Sequence, residues 1–300
     1  MVEITLRQLR YFQALASHNH FGRAAEASAI SQPALSIQIK ELETILGATL
    51  FERGARQVRL TRFGAEFAER VGPILRAVDD LSDLARATGA GLSGEMRLGV
   101  IPTIAPYLLP RILSHLAAAY PACEPMVRET VTPKLIEELG AGRLDAAVVA
   151  LPVSEPGLTE DVLFEESAFL VRPKSESDQP VPTREELSER RLLLLEEGHC
   201  FRDHALSFCR IGGGGTRDGL DGSSLSTLVQ MVGAGIGVTL IPAMAVPVET
   251  RSAQVVVDPL PGPQPARTVG MVWRKNSVLA AHLAELAASL REALRPESAS

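Results

Sequence analysis

An α/β protein with a small helical head is predicted by three observations. Residues 1–62 carry apolar side chains at helical spacing and hold eight cations against five anions, a net +3 that leaves −9 on the rest of the chain. From residue 95 onward, short apolar runs alternate with amphipathic helical stretches, the pattern of layered α/β structure. Between the two lies one long amphipathic stretch, 62–89, closed by the hinge-like run Gly89-Ala90-Gly91-Leu92-Ser93-Gly94.

The head begins with Leu6, Leu9, Phe12, Leu15 and Ala16, one helical face within residues 4–17. Phe21–Ala27 is a second short helix, rich in Ala. Ser31-Gln32-Pro33 opens a third: Ser31 caps it, and Pro33 suits a first turn, where its missing N–H would be unpaired anyway. Leu35, Ile39, Leu42 and Leu46 form its buried stripe, and Gly47 ends it. Its opposite face carries Ser36, Gln38 and Lys40, side chains that reach base edges and phosphates. Phe51–Thr61 alternates around Gly54 as a small hairpin, and its Arg53, Arg56 and Arg59 suit a wing along a phosphate backbone. Three helices and a basic hairpin read as a winged helix-turn-helix. The bland alternative is a helical subdomain with solvated charges.

In the long stretch, Phe63, Phe67, Val71, Ile74, Leu75, Val78, Leu81 and Leu84 recur with a period near 3.5, so it is expected to pair with a copy of itself, with Pro73 interrupting and kinking it. Packing into a core is the alternative. In the body, strands are predicted at Met96–Ile101, Met126–Thr130, Ala146–Leu151, Phe169–Val171, Leu192–Leu195, Gly237–Ile241, Gln254–Val256 and Val269–Val272. Helices are predicted at Tyr107–Tyr120, Pro133–Ala141 and Val278–Leu294. About 200 residues of this kind form one domain or two lobes around a cleft. Gly233-Ala234-Gly235-Ile236-Gly237 resembles a dinucleotide fingerprint but follows a helix and precedes a strand, the reverse of the order that binds a pyrophosphate, and is read as a tight turn.

The 300 residues are 46% hydrophobic and 22% charged, ordinary for a soluble globular chain of two or three domains. No apolar run reaches the roughly 18–20 residues of a membrane span, and Met1–Arg7 has no signal core, so a cytoplasmic location is expected and no membrane partner. Histidine and cysteine spacings fit no metal site, and no cofactor is expected. The three cysteines, an odd number, argue against a disulfide scaffold. Cys123 has no basic neighbours and is read as a bystander. Cys200 and Cys209 lie in a segment that reads as helical. Nine residues of helix turn the chain by about 900° and rise roughly 13.5 Å, whereas a disulfide needs Cα atoms within about 7 Å. The two cannot bond unless the segment unwinds, which suits a switch better than a staple. From spacing alone, a pair of inert core thiols is the better reading.

The chain resembles the LysR-type transcriptional regulators. The resemblance is carried by Phe21-Gly22-Arg23-Ala24-Ala25-Glu26, Ser31-Gln32-Pro33-Ala34-Leu35-Ser36, Ile39-Lys40-Glu41-Leu42-Glu43, Leu46-Gly47, Leu50-Phe51-Glu52-Arg53 and Leu60-Thr61. It continues in Leu98-Gly99-Val100-Ile101-Pro102-Thr103, Gly142-Arg143-Leu144-Asp145 and Val232-Gly233-Ala234-Gly235-Ile236-Gly237. It implies a winged helix-turn-helix over 1–61, a linker and dimerisation helix over 62–91, and a two-lobed α/β effector domain of periplasmic-binding-protein type over 92–300. It also implies a homotetramer on a double-stranded DNA operator, acting with RNA polymerase.

Leu195-Glu196-Glu197-Gly198-His199-Cys200-Phe201-Arg202-Asp203 with Phe208-Cys209 is similar to the peroxide-sensing branch of that family. The similarity implies that Cys200 is the peroxidatic thiol, Cys209 the resolving thiol, and hydrogen peroxide the signal. Thr103, Thr132, His199 and Arg267, with Arg202, Asp203 and His204 beside the cysteine, are the implied peroxide-site residues. His204 stands where Gln is expected, and the Gly212–Gly215 run is a further departure. A reactive Cys200 calls for a depressed pKa, for which a helix start, Arg202 and His199 are the candidate causes; Glu196, Glu197 and burial oppose them. The competing functions are a regulator answering a small organic effector, with incidental cysteines, and a thiol peroxidase, against which the helix-turn-helix signature argues.

Overall fold

The computed structural model describes residues 3–53, 58–87, 92–209 and 221–294. They fall into two compact units, Met1–Asp83 and Leu84–Ser300. The first holds α1 (Leu6–His18), α2 (Phe21–Ala27), α3 (Gln32–Leu46), β1 (Phe51–Arg53), β2 (Val58–Leu60) and most of α4 (Arg62–Ala87). Thr5 closes a capping box with Gln8 at the start of α1. Ser31 Oγ accepts the Ala34 N–H at 3.3 Å at the start of α3, and Gly47, at φ +65°, ends that helix in the left-handed region. Leu9, Phe12, Leu15, Leu35, Ile39 and Leu42 form the core, with the Phe12 ring packed against Phe51 and edge-on to Phe67.

β1 and β2 pair antiparallel, with Glu52 opposite Arg59. The loop carrying Gly54 and Arg56, the first hinge positions 89–91 and the glycine run 212–215 lie outside the described residues. α4 continues as one helix on both sides of Pro73. Its Phe67, Val71 and Leu75 pack into the head's core.

In the second unit, β3 (Gly94–Val100), α5 (Ala105–Ala119), β4 (Cys123–Glu129), α6 (Thr132–Gly140) and β5 (Ala146–Leu151) make two parallel crossovers, with β3 between β5 and β4. β5 is buried at all six positions, as its apolar run requires of a strand covered on both faces. Asp145, just before it, is buried and takes the Arg97 N–H at 2.8 Å and its guanidinium at 2.6 Å, which gives the Gly142–Asp145 motif a structural role. β6 (Leu158–Pro173) follows and runs for 16 residues. Next come α7 (Arg184–Glu189), β7 (Leu194–Leu195), α8 (Cys200–Cys209), β8 (Asp221–Gly222), α9 (Leu225–Gly233), β9 (Thr239–Pro242), α10 (Val246–Glu249), β10 (Val255–Asp258), β11 (Ala266–Arg274) and α11 (Ala280–Ala293).

β6 makes this body two-lobed. Its first ten residues pair antiparallel with β11, and its last six pair with β10 and β9. Leu158 and Leu163 enter one core with β3, β5, β11 and α11; Leu170 and Val171 enter a second with α8, α9 and β9. Sequence reading reached only Phe169–Val171 of this strand. Its first half carries Glu160, Asp161, Glu165 and Glu166, which mask the apolar signal. Three of these have tertiary partners: Glu160 accepts the Val153 and Ser154 N–H groups, Asp161 pairs with Arg291, and Glu166 pairs with Arg267. The glycine-rich turn after α9 behaves as expected. Gly235 sits at φ +78°, and a Cβ on Gly237 would overlap the Arg191 carbonyl.

Candidate functional site between the lobes

α8 begins at Cys200, two residues after Gly198, which turns the chain at φ +92° against Val131. This turn carries the first residue of a second-lobe helix into the first lobe. Cys200 is half-buried, packs against the first lobe's core, and is reached by the Thr132 hydroxyl, the Ala150 N–H and the Phe201 N–H. Thr132 opens α6, and Ala150 is the penultimate residue of β5. The sulfur therefore lies beyond the carboxyl ends of parallel strands, between two helix starts, where polar backbone groups point outward. Thr132 Oγ1 is buried with no nitrogen or oxygen partner, which leaves it for the sulfur or for a small ligand beside it.

Arg267 is the nearby cation. It is buried on β11, directly across the ladder from Glu166, with the two side chains paired at 2.8 Å. Its other nitrogens donate to Thr103 Oγ1 at 2.8 Å and to the Thr103 carbonyl at 3.0 Å, and its guanidinium lies 5.3 Å from the centre of the Phe201 ring. Glu166 also accepts the Met244 N–H at 2.7 Å. One ion pair on the crossover strands thus ties the first lobe, through Thr103, to the second, through Met244 and Phe201. A second tie is the hydrogen bond from Tyr107 on α5 to Glu249 on α10, at 2.7 Å. Burial, and then the neighbouring carboxylate, push the Tyr107 phenol up, so it stays protonated and donating.

Of the opposing influences on the Cys200 pKa, burial is the largest. Burial dominates and holds the thiol above its ordinary 9.0, although Arg267, Thr132 and the two N–H groups all act to lower it. Arg202 is engaged elsewhere. It donates to the Leu195 carbonyl at 2.6 Å and pairs with Asp221 at 2.9 Å, anchoring α8 to the small β7–β8 sheet. Asp203 is exposed. His199 and His204 are both partly buried.

Both rings have pKa values below 6.5, His199 by burial against the opposing charge of Glu196, and His204 by burial and Arg267 against Asp203. His204 Nδ1 is buried without a partner. The folded chain prefers these rings neutral. The stability tied to them is present above about 6.5 and is lost as pH falls through the lowered values. Thermal midpoints should therefore drop more steeply with acid below about pH 6.5 in the native chain than in His204→Gln. Superimposable midpoint-against-pH curves would contradict this.

On the head, Ser31, Gln32, Pro33 and Lys40 are exposed at and after the start of α3, Ser36 and Gln38 are partly exposed, and Gln38 donates to Glu41 at 2.8 Å. Arg59 is exposed on β2; the side chain of Arg53 lies outside the described residues. Cys209 closes α8 by its backbone, and its side chain is likewise outside them. Cys123 is buried at the start of β4. Sequence reading missed Glu166, Ala150 and the Tyr107–Glu249 tie. No local pattern marks them, because each is placed by pairing across distant segments.

A winged helix-turn-helix joined to a two-lobed α/β body with a partly buried interlobe cysteine defines a bacterial one-component regulator. Residues 6–65 match the model of the bacterial regulatory helix-turn-helix proteins of the lysR family, and residues 89–295 match the LysR substrate binding domain. The chain belongs to the LysR family. It is 44% identical over 296 residues to a probable hydrogen peroxide-inducible genes activator of Streptomyces viridosporus, covering 97% of this chain and 95% of that one. It is 39% identical over 293 residues to the DNA-binding transcriptional dual regulator OxyR of Escherichia coli K12, covering 96% and 95%. Among solved structures it is similar to full-length OxyR of Pseudomonas aeruginosa bearing a Cys-to-Asp substitution, with a TM-score of 0.74, 35% identity and 99% of both chains covered. It is also similar to an H2O2-bound Cys-to-Ser mutant of Corynebacterium glutamicum OxyR, with a TM-score of 0.64, 35% identity and 97% and 92% covered.

Proposed function

We propose that the protein is a DNA-binding transcriptional activator of oxidative-stress genes that senses hydrogen peroxide at Cys200. The observation that carries this reading is the interlobe position of Cys200. It has the Thr132 hydroxyl beside it, and Cys209 stands nine residues on at the far end of the same helix. The Cys200 thiolate attacks one peroxide oxygen; an S–O bond forms, the O–O bond breaks, and hydroxide leaves. Cys209 then attacks the sulfenic sulfur. The S–S bond forms, the S–O bond breaks, and water departs with the proton.

Burial raises the thiol pKa, so Arg267, Thr132 and the Ala150 and Phe201 N–H groups act where charge develops as the proton leaves. Thr103 is already engaged by Arg267, so its role is to hold that guanidinium, while Thr132 is the threonine available to peroxide. Closing the disulfide unwinds α8, which lies against both lobes, and the altered lobes change how the heads sit on the operator. Ser31, Gln32, Pro33, Ser36, Gln38, Lys40, Arg53, Arg56 and Arg59 are assigned to the DNA, as one of two or four heads of a homo-oligomer that engages RNA polymerase in the cytoplasm.

Treatment of the reduced full chain with peroxide should yield a Cys200–Cys209 link by peptide mapping and a changed footprint on operator DNA. No described helix is long and apolar enough to cross a membrane. Rapid multiple turnovers with a thiol reductant, without sequence-specific DNA binding, would instead make the protein a thiol peroxidase.

A further inference from the structure

The two ends of α8 are held differently. At its first turn, Arg202 of the helix itself reaches back to the Leu195 carbonyl and Asp221. At its last turn the clamp comes from another element. Arg184 of α7 donates to the Ser207 carbonyl at 3.0 Å and lies 4.7 Å from the centre of the Phe208 ring. α7 presents this arginine from a fixed first turn: Thr183 Oγ1 accepts the Glu186 N–H at 3.3 Å, and Glu186 accepts the Thr183 N–H at 2.7 Å. A guanidinium at a helix C-terminus meets the unpaired carbonyls and the negative end of the dipole, and stacks on the ring below it. Phe208 is itself packed against the second lobe's core.

Unwinding the last turn, at Ser207 and Phe208, frees Cys209 to come within about 7 Å of Cys200. Resting on the sensing reading above, we infer that Arg184 is a positioning residue that sets the threshold for disulfide closure, by holding the last turn of α8 wound. Cys200 oxidation by peroxide precedes that unwinding and does not require it. Arg184 therefore acts on the second chemical step alone, where the S–S bond replaces the S–O bond and water leaves.

The test uses the reduced full chain and its Arg184→Gln, Arg184→Lys and Phe208→Leu variants. After mixing with hydrogen peroxide, sulfenate at Cys200 is trapped with a carbon nucleophile, and the Cys200–Cys209 disulfide is followed by quenched alkylation and mass spectrometry. Arg184→Gln should form sulfenate at the native rate and close the disulfide about tenfold faster, the equivalent of one charge-assisted hydrogen bond released. Its midpoint potential should be more negative by about 30 mV, the two-electron equivalent of tenfold. Arg184→Lys keeps the charge but loses the flat stacking face and should fall between. Phe208→Leu, which keeps an apolar side chain in the core, should shift closure in the same direction and decides the matter if Arg184→Gln fails to fold. Native closure rates and potentials in the folded variants would overturn the assignment, as would a sulfenate step altered as much as the closure step. A native chain that forms no Cys200–Cys209 disulfide would instead overturn the sensing reading on which the inference rests.

Discussion

Cys200→Ser is expected to leave DNA binding intact and to abolish every response to hydrogen peroxide. A hydroxyl at that position is not a thiolate and has no oxidation ladder to climb. The substitution is nearly isosteric in a half-buried position, so the thermal midpoint should move little and a folding defect should not mimic the loss. Footprints on operator DNA with and without peroxide provide the readout. The native chain should give two patterns, and Cys200→Ser only the reduced one. A variant that still switched would transfer the sensing role away from Cys200 and favour a regulator answering a small organic effector. Because burial holds the native thiol above 9.0, alkylation of Cys200 should also accelerate with pH into and beyond that range, rather than level off near neutrality.

Arg267→Met should cost stability as well as reactivity. Both members of the Arg267–Glu166 pair are more than nine-tenths buried, so removing the cation strands a carboxylate in the interior and leaves Thr103 without its donor. Breaking such a pair typically costs about 3–5 kcal/mol, or a fall in midpoint of about 6–20 °C for a domain of this size. The double variant Arg267→Met with Glu166→Leu should recover much of that loss, since no orphaned charge remains. It should not recover peroxide reactivity, because the guanidinium that favours the Cys200 thiolate is still absent. Calorimetry on the two chains, read beside sulfenate formation rates, separates the structural part of Arg267 from its electrostatic part. Equal midpoints for the single variant and the native chain would refute the structural part.

Much of the head was legible because its signals are local. The Ser31 cap, Pro33 in the first turn, the Leu35–Ile39–Leu42 stripe and Gly47 are separated by a few residues each, and helix geometry fixes what they do. β5 was legible for the same kind of reason: six consecutive apolar residues have no comfortable place outside a covered sheet. β6 was not. Four carboxylates in its first half look like a solvated segment until Arg267, Arg291 and the Val153 and Ser154 N–H groups arrive from elsewhere in the chain. At Pro73 the helix continues, with Val71 and Leu75 on either side buried in the head's core, and that packing offsets the one missing hydrogen bond.

The sequence alone determined the helix-turn-helix, the alternating α/β body and the misfit of Cys200 and Cys209 to a bond within one helix. Each depends on periodicity or on the fixed rise of a helix, and both are properties of neighbours in the chain. Only the tertiary structure decided what surrounds Cys200. Arg202, two residues away, turns to Leu195 and Asp221, while Arg267, 67 residues further on, supplies the field at the sulfur. Thr132 faces the Cys200 sulfur, and Thr103 is bound up with Arg267. The direction of the Cys200 pKa shift was set there as well. Desolvation depends on how much of both lobes closes over the sulfur, and no residue in the segment 198–209 encodes that.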